Sequence, residues 1–206
     1  QIVEELDGYQ KIIDGCRQVI ENYKPSIDID PSWETIELGE LYDENLDSKR
    51  IPIEKSKRKK GNFPYYGASG IVDYVDDYIF DDELLLISED GANLLARKYP
   101  ICFSAKGKFW VNNHVHIVRV DDKILQKYLE YFLNTLDIKN YITGSAQPKL
   151  NRQSMDKIKI KIPEKNLMKQ IVEKINIELE VVNKNNDLIV NFDDKIRNKI
   201  NSIWSN

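Results

Sequence analysis

Five of the six residues from Lys55 to Lys60 are basic, and two tyrosines follow them closely. Lys57, Arg58, Lys59 and Lys60 carry charges suited to neutralising phosphates. Tyr65 and Tyr66 fall in the Gly- and Pro-rich stretch Gly61 to Gly70, which predicts a loop and not regular structure. From a loop they can be presented to a base or a sugar. A second polar cluster would complete a groove: Lys106 and Lys108 around Gly107, then Asn112, Asn113 and His114. A third is Gln147, Lys149, Asn151 and Arg152. Asn can bind adenine through two hydrogen bonds, and Arg or Lys can do so with guanine. The competing interpretation is a solvated lysine loop beside two packed tyrosines.

Other chemistries find less support. Asn62-Phe-Pro-Tyr65 is similar to the Asn-Pro-Pro-Tyr loop of adenine methyltransferases, but its second residue is Phe. No glycine-rich strand–turn–helix for S-adenosylmethionine precedes it. His114 and His116 share a face of an expected strand, yet no third ligand stands at a supporting spacing, so no metal is expected. The acidic residues Asp73 to Glu83 read as solvated turns. There is no phosphate-binding loop and no credible Ser/His/Asp arrangement.

Two helices frame these clusters. From Glu164 to Trp204 there is no Gly and no Pro. Met168, Ile175, Val182, Ile189, Ile196 and Ile203 stand seven apart, and Ile171 and Phe192 take d positions in the same heptad. Such a helix would be about 60 Å long, a spacer or an oligomerisation rod. At the chain start, Ile2, Leu6, Tyr9, Ile13, Cys16, Ile20 and Tyr23 alternate steps of four and three, up to Pro25. Gly8 and Gly15 weaken this helix, so it needs a partner, and the long helix is the obvious one. Between them, strands are expected at 33–38, 51–53, 71–75, 78–80, 84–88, 101–104, 108–111, 114–120 and 158–162. A helix is expected at 123–136, and a polar loop at 143–154. The fold class is α+β: an irregular, mainly β domain carried on a long C-terminal helix that pairs as a coiled coil.

Composition sets further bounds. The 206 residues suffice for one well-buried domain with extensions. A net charge of −4 argues against a promiscuous nucleic-acid coat. No apolar run approaches the roughly 20 residues needed to span a bilayer. The acidic start gives no signal peptide, and opening on Gln1 suggests a trimmed or excised piece of a longer chain. Cys16 and Cys102 form no C-x-x-C pair, so a reducing cytoplasm is expected.

Several stretches, in order, resemble specificity subunits of type I restriction-modification enzymes. Trp33-x-x-Ile-x-Leu-Gly-Glu-Leu41 looks like the opening of a target recognition domain. Pro64-Tyr-Tyr-Gly-Ala-Ser-Gly70 and Leu85-Leu-Ile-Ser-Glu-Asp-Gly91 resemble its interior. Gly144-Ser-Ala-Gln-Pro-Lys-Leu-Asn151, Ile160-x-Ile-Pro163 and Gln170-x-Val172 are similar to the segment joining the domain to its helix. Glu5-Leu-x-Gly-Tyr-Gln-Lys-Ile-Ile-Asp-Gly15 resembles a helix ahead of a recognition domain, also found where methylase and specificity parts are fused. Where the family often has a second proline after Ile-Pro, this chain has Glu164-Lys165.

The resemblance implies a helix at 1–24, a target recognition domain at 25–163 and a long spacer helix at 164–206. It implies a non-catalytic module reading half of a bipartite DNA target. Lys57 to Lys60 and Lys149 would face phosphates, with Tyr65, Tyr66, Asn112, Asn113 and Arg152 nearer bases. Ile175, Val182, Ile189, Phe192, Ile196 and Ile203 would meet a second copy or a second recognition half. Methyltransferase subunits would dock and bring S-adenosylmethionine, with restriction subunits as further partners. Two alternatives stay open: a coiled-coil scaffold without DNA binding, and a fragment of a fused methyltransferase or restriction enzyme.

Overall fold

A computed structural model describes residues 2–144 and 146–204, apart from the side chains of Ile203 and Trp204. The chain forms two compact units, one of residues 1–26 with 173–206 and one of residues 27–172.

The first unit is helical. Helix α1 spans Ile2–Asn22. A long C-terminal helix, Lys165–Trp204, has forty residues and a length of about 60 Å. Most of it pairs with α1 in antiparallel fashion. Lys199 Nζ meets Glu5 at 2.8 Å, Tyr9 packs on Phe192 with ring centroids 5.3 Å apart, and Tyr23 Oη donates to Glu178 at 2.8 Å. Ile13 and Cys16 are the buried residues of α1. The expected partnership of the two helices is therefore formed.

It also corrects the expected dimer stripe. Ile175 is buried within the chain, Phe192 packs on Tyr9, and Val182, Ile189 and Ile196 are half-buried. The side chain of Ile203 lies outside the described residues. That seam is answered largely by α1. The apolar side chains left exposed are others, among them Ile177, Val181, Leu188 and Val190.

Gly8 and Gly15 have no atom within 4 Å of where a Cβ would stand. Alanine at either should lower the cost of ordering α1 without a clash. Each change is expected to stabilise the helical unit by about 1 kcal/mol, read as a raised urea midpoint.

The second unit holds two sheets. Strands β1 (Glu34–Glu37) and β8 (Lys159–Ile162) form an antiparallel pair. The larger sheet contains β2 (Glu44–Asn45), β3 (Lys60–Gly67), β4 (Gly70–Val75), β5 (Phe80–Ser88), β6 (Cys102–Val111) and β7 (Val115–Arg119). Its order is β2-β7-β5-β6-β3-β4, antiparallel throughout except for β3 beside β6.

Leu84, Leu85, Leu86 and Ile87 on β5 are all fully buried, as an apolar run covered on both faces should be. One face packs Phe80, Leu84, Leu86, Phe109, Val111 and Ile117. Helix α3 (Lys123–Thr135) lies against β6. It starts at Asp122, whose carboxylate accepts from the amides of Ile124 and Leu125. Short helices α2 (Asn93–Ala96) and α4 (Arg152–Asp156) complete the unit, and α4 begins inside the stretch expected to be a loop.

Four expectations for this unit are corrected. The 61–70 stretch is strand β3 and its hairpin turn, not a loop. Pro64 is tolerated there because β6 pairs only with Tyr65 and Tyr66. The expected strand 78–80 is not formed as such, and the one expected at 84–88 starts earlier, at Phe80, since Asp81 and Glu83 stand opposite Lys108 and Lys106. Segments 101–104 and 108–111 merge through Gly107. Residues 51–53 form no strand. Trp110 Nε1 donates to the Ile51 carbonyl, and the Ile53 amide donates to Tyr65 Oη, so side chains replace a ladder.

Candidate nucleic-acid interface

Several loops converge at the end of the large sheet where β5 finishes and β7 begins. They are the β3–β4 turn, residues 88–92, residues 112–114, residues 46–50 and residues 148–151. The Ser88 hydroxyl donates to the Ala68 carbonyl, and the Asn112 amide donates to the Tyr66 carbonyl at 3.0 Å.

Glu89 ties four of these segments, and each of its polar groups has a separate partner. Its amide donates to the His114 carbonyl at 2.9 Å, and its carbonyl accepts from the Leu150 amide at 2.7 Å. Arg50 Nη1 meets one carboxylate oxygen at 2.5 Å, and Lys149 Nζ meets the other at 3.0 Å. Arg50 also donates to the Val115 carbonyl at 2.8 Å.

Beside it, His116 is buried. Its Nδ1 lies 2.7 Å from Asp47 and its Nε2 lies 2.8 Å from the Leu150 carbonyl. Asp47 also accepts from the Ile117 amide at 2.8 Å. Burial pushes the Glu89 carboxyl up, but hydrogen bonds from Arg50 and Lys149 outweigh it and leave the group below its ordinary value. For Asp47, burial likewise acts upward, and the His116 contact with the Ile117 amide and Arg50 brings the net shift downward. Among the described residues no group of three or more His, Cys, Asp or Glu side chains could hold a metal ion.

The expected contact residues separate into distinct places. Asn112, Asn113, His114 and Lys149 share the loop-bearing end. Lys57 to Lys60 lie at the other end of β3, roughly 23 Å away at about 3.3 Å per residue. Lys106 and Lys108 lie mid-strand, Lys106 paired with Glu83 and Lys108 over the Tyr78 ring. Arg152 starts α4, where it donates to Asn45 and pairs with Asp156.

Four residues expected on bases or phosphates are engaged inside the unit, two of them buried and two half-buried. Tyr65 is only 1% exposed, with its hydroxyl accepting from Ile53. Tyr66 stacks on Phe103 and meets the edge of Phe109. Asn112 is buried, and its side chain accepts from the His114 amide. Arg58 lies over the Tyr65 ring and is held by Asp73 and the Ile53 carbonyl. These side chains build the fold. Lys59 and Lys60 remain exposed, while Lys57 makes only an exposed pair with Glu54, of little energetic weight. Asp76 and Asp77 share a shallow pocket with Lys57 and Lys59 and offset their charge.

Sequence reasoning missed Arg50, Asp47 and Glu89. The signal was there: an acid directly after an unbroken apolar strand is close to the core and must find a cation.

The model of the type I restriction modification DNA specificity domain matches residues 31–189. The chain belongs to that family. Membership makes DNA target recognition the role of the matched region. A putative type I restriction enzyme specificity subunit of Haemophilus influenzae is 38% identical over 128 residues, covering 62% of this chain and 33% of that protein. The type I restriction enzyme EcoprrI specificity subunit of Escherichia coli is 28% identical over 114 residues, or 54% of this chain and 26% of its own. The chain thus spans a third or less of these relatives.

The fold is that of solved specificity subunits. The crystal structure of the S subunit of a type I system from M. genitalium aligns with a TM-score of 0.61 at 14% identity, over 96% of this chain and 56% of that one. A structure described for complex assembly and conformational transition of the type I restriction-modification system gives 0.57 at 13% identity, over 97% and 54%. No described helix is long and apolar enough to cross a membrane.

Proposed function

We propose that this chain reads one half of a bipartite duplex DNA target and presents it to methyltransferase subunits. The observation that carries the proposal is the family match across residues 31–189, which takes in nearly the whole β unit and the first part of the long helix. The convergent loops around Glu89 supply the reading surface, and the helices supply the docking surface. The chain contributes recognition and not catalysis. S-adenosylmethionine and the reacting groups belong to the methyltransferase subunits, and restriction subunits join the same assembly in the cytoplasm. A second recognition half, in another copy or another part of a longer chain, packs on the apolar side chains that α1 leaves exposed, including Ile177, Val181 and Leu188.

Selection from random duplexes, with and without a cognate methyltransferase subunit, tests this. Enrichment of a short defined sequence is expected. Absence of enrichment under both conditions would leave the scaffold reading in its place. Lys59→Ala with Lys60→Ala should weaken binding to every duplex alike and reduce the salt slope by about 2, roughly 0.9 per phosphate contact. Unchanged binding and slope would remove this basic run from the DNA surface.

A further inference from the structure

We propose that Asp90 and His114 form a base-reading pair that recognises an exocyclic amino group in the major groove, either adenine N6 or cytosine N4. The proposal rests on the reading of the chain as a duplex-DNA recognition module, and it names what one position of that surface detects.

Nδ1 of His114 lies 3.0 and 2.9 Å from the two carboxylate oxygens of Asp90. An ionised carboxylate only accepts, so Nδ1 carries the hydrogen and donates. The tautomer is thereby fixed, and in the neutral ring Nε2 is left with a lone pair. The His114 side chain is 49% exposed, and no described residue engages Nε2. An acceptor offered to the major groove selects a donor. The only base donors there are the adenine N6 and cytosine N4 amino groups. Guanine O6 and N7 and thymine O4 are acceptors and would face the lone pair unfavourably.

The pair is held rigidly. The His114 amide donates to Asn112 Oδ1 at 2.8 Å, and its carbonyl accepts from the Glu89 amide at 2.9 Å. Asp90 follows Glu89 directly and forms a bridge with Lys149. Both halves of the pair are therefore fixed through Glu89, which is itself clamped by Arg50. A reading group needs such support to discriminate. Asn113 and Lys149 stand exposed beside it, and Lys149 can turn from Glu89 to a phosphate.

The test starts from a duplex that the full chain selects, with its methyltransferase subunit present if selection requires it. Single adenines are replaced by purine and single cytosines by 2-pyrimidinone, which deletes one amino group at a time. For the unaltered protein, one such deletion should weaken binding roughly three- to tenfold, the range of a single lost hydrogen bond. The same deletion should have no effect on His114→Ala, which alters an exposed side chain. Asp90→Asn frees the tautomer and should shrink the penalty for that same deletion. Thermal unfolding of each variant confirms that it folds. The responding base tells adenine from cytosine. If every deletion costs His114→Ala as much as it costs the unaltered protein, the pair reads no amino group. If the unaltered protein selects no sequence at all, the DNA-recognition reading fails instead, and the two failures are distinct.

Discussion

Alanine in place of Glu89 is expected to cost the β unit about 3–5 kcal/mol of stability, the range for removing one partner of a buried ion pair. The effect comes mainly from what is left behind. The Arg50 side chain is only 17% exposed, and Nη1 would keep a single acceptor, the Val115 carbonyl. Lys149 contributes less, because it is half exposed and water can take over its contact. The backbone hydrogen bonds of residue 89 to His114 and Leu150 survive any substitution, so the loss is set by the side chain. Glu89→Gln keeps the volume and one acceptor oxygen and should fall between the two.

Urea unfolding measures the difference, and acid unfolding gives a second signature. The carboxyls of Glu89 and Asp47 are held below their ordinary values of 4.5 and 3.8 in the folded chain. Their contribution is fully present above those values and is lost as pH falls through the lower folded ones. Between pH 7 and about 5.5 these two groups should leave stability flat, and below about pH 4 it should drop steeply. Glu89→Ala should show a shallower acid limb. An equal limb in both proteins would mean that the cluster does not couple to folding.

Gly61→Ala is the second large effect. A Cβ at Gly61 would stand 2.2 Å from the Val75 carbonyl oxygen, 2.3 Å from Asp76 Cα and 2.5 Å from Asp76 N. All three are backbone atoms, which cannot swing aside as a side chain can. The register of β3 against β4 shifts here, with Lys60 and Phe63 both opposite Val75. A methyl group would force the strands apart and break the hydrogen bond from the Asp76 amide to the Lys59 carbonyl. About 3 kcal/mol is expected, the upper part of the overpacking range, and a fall in Tm of roughly 6–12 °C. Lys59 and Lys60 sit on the displaced end, so if the proposed phosphate contacts hold, DNA affinity should fall with it. The sign is opposite to that at Gly8, where open space surrounds the same substitution.

Local periodicity was enough for the helices and for strands whose partners do not matter to their pattern. The heptads gave α1 and the long helix, and alternation gave β1, β4, β7 and β8. What failed depended on distant partners. Asp81-Asp-Glu83 looked like a turn because its compensating lysines are more than twenty residues away, at Lys106 and Lys108. Pro64 looked like a breaker because nothing local says that its flank pairs with β6 over two residues only. The candidate site followed the same division. His114, Asn113 and Lys149 were recognisable by type and do converge. Tyr65 and Arg58 were also recognisable by type, but a cation–π contact with each other and a hydrogen bond with the 51–53 segment draw them inward. The Glu89 cluster joins residues 47, 50, 89, 116 and 149, a set that no local window contains.

The junction between β3 and β6 is a thin seam inside the large sheet, two residue pairs joining strands some forty-five positions apart in the chain. On one side, β5 pairs with both β6 and β7 through longer ladders; on the other, β3 and β4 are a local hairpin. The β5 ladders reward the loops they close with many bonds, and the hairpin closes a short one, whereas the seam closes a long loop and gains few bonds for it. The hairpin should therefore form its final contacts late and open first, with amide hydrogens of residues 60–75 exchanging ahead of those in β5. Native-state breathing would be concentrated on the strand whose two ends lead to the basic run and to the loops around Glu89.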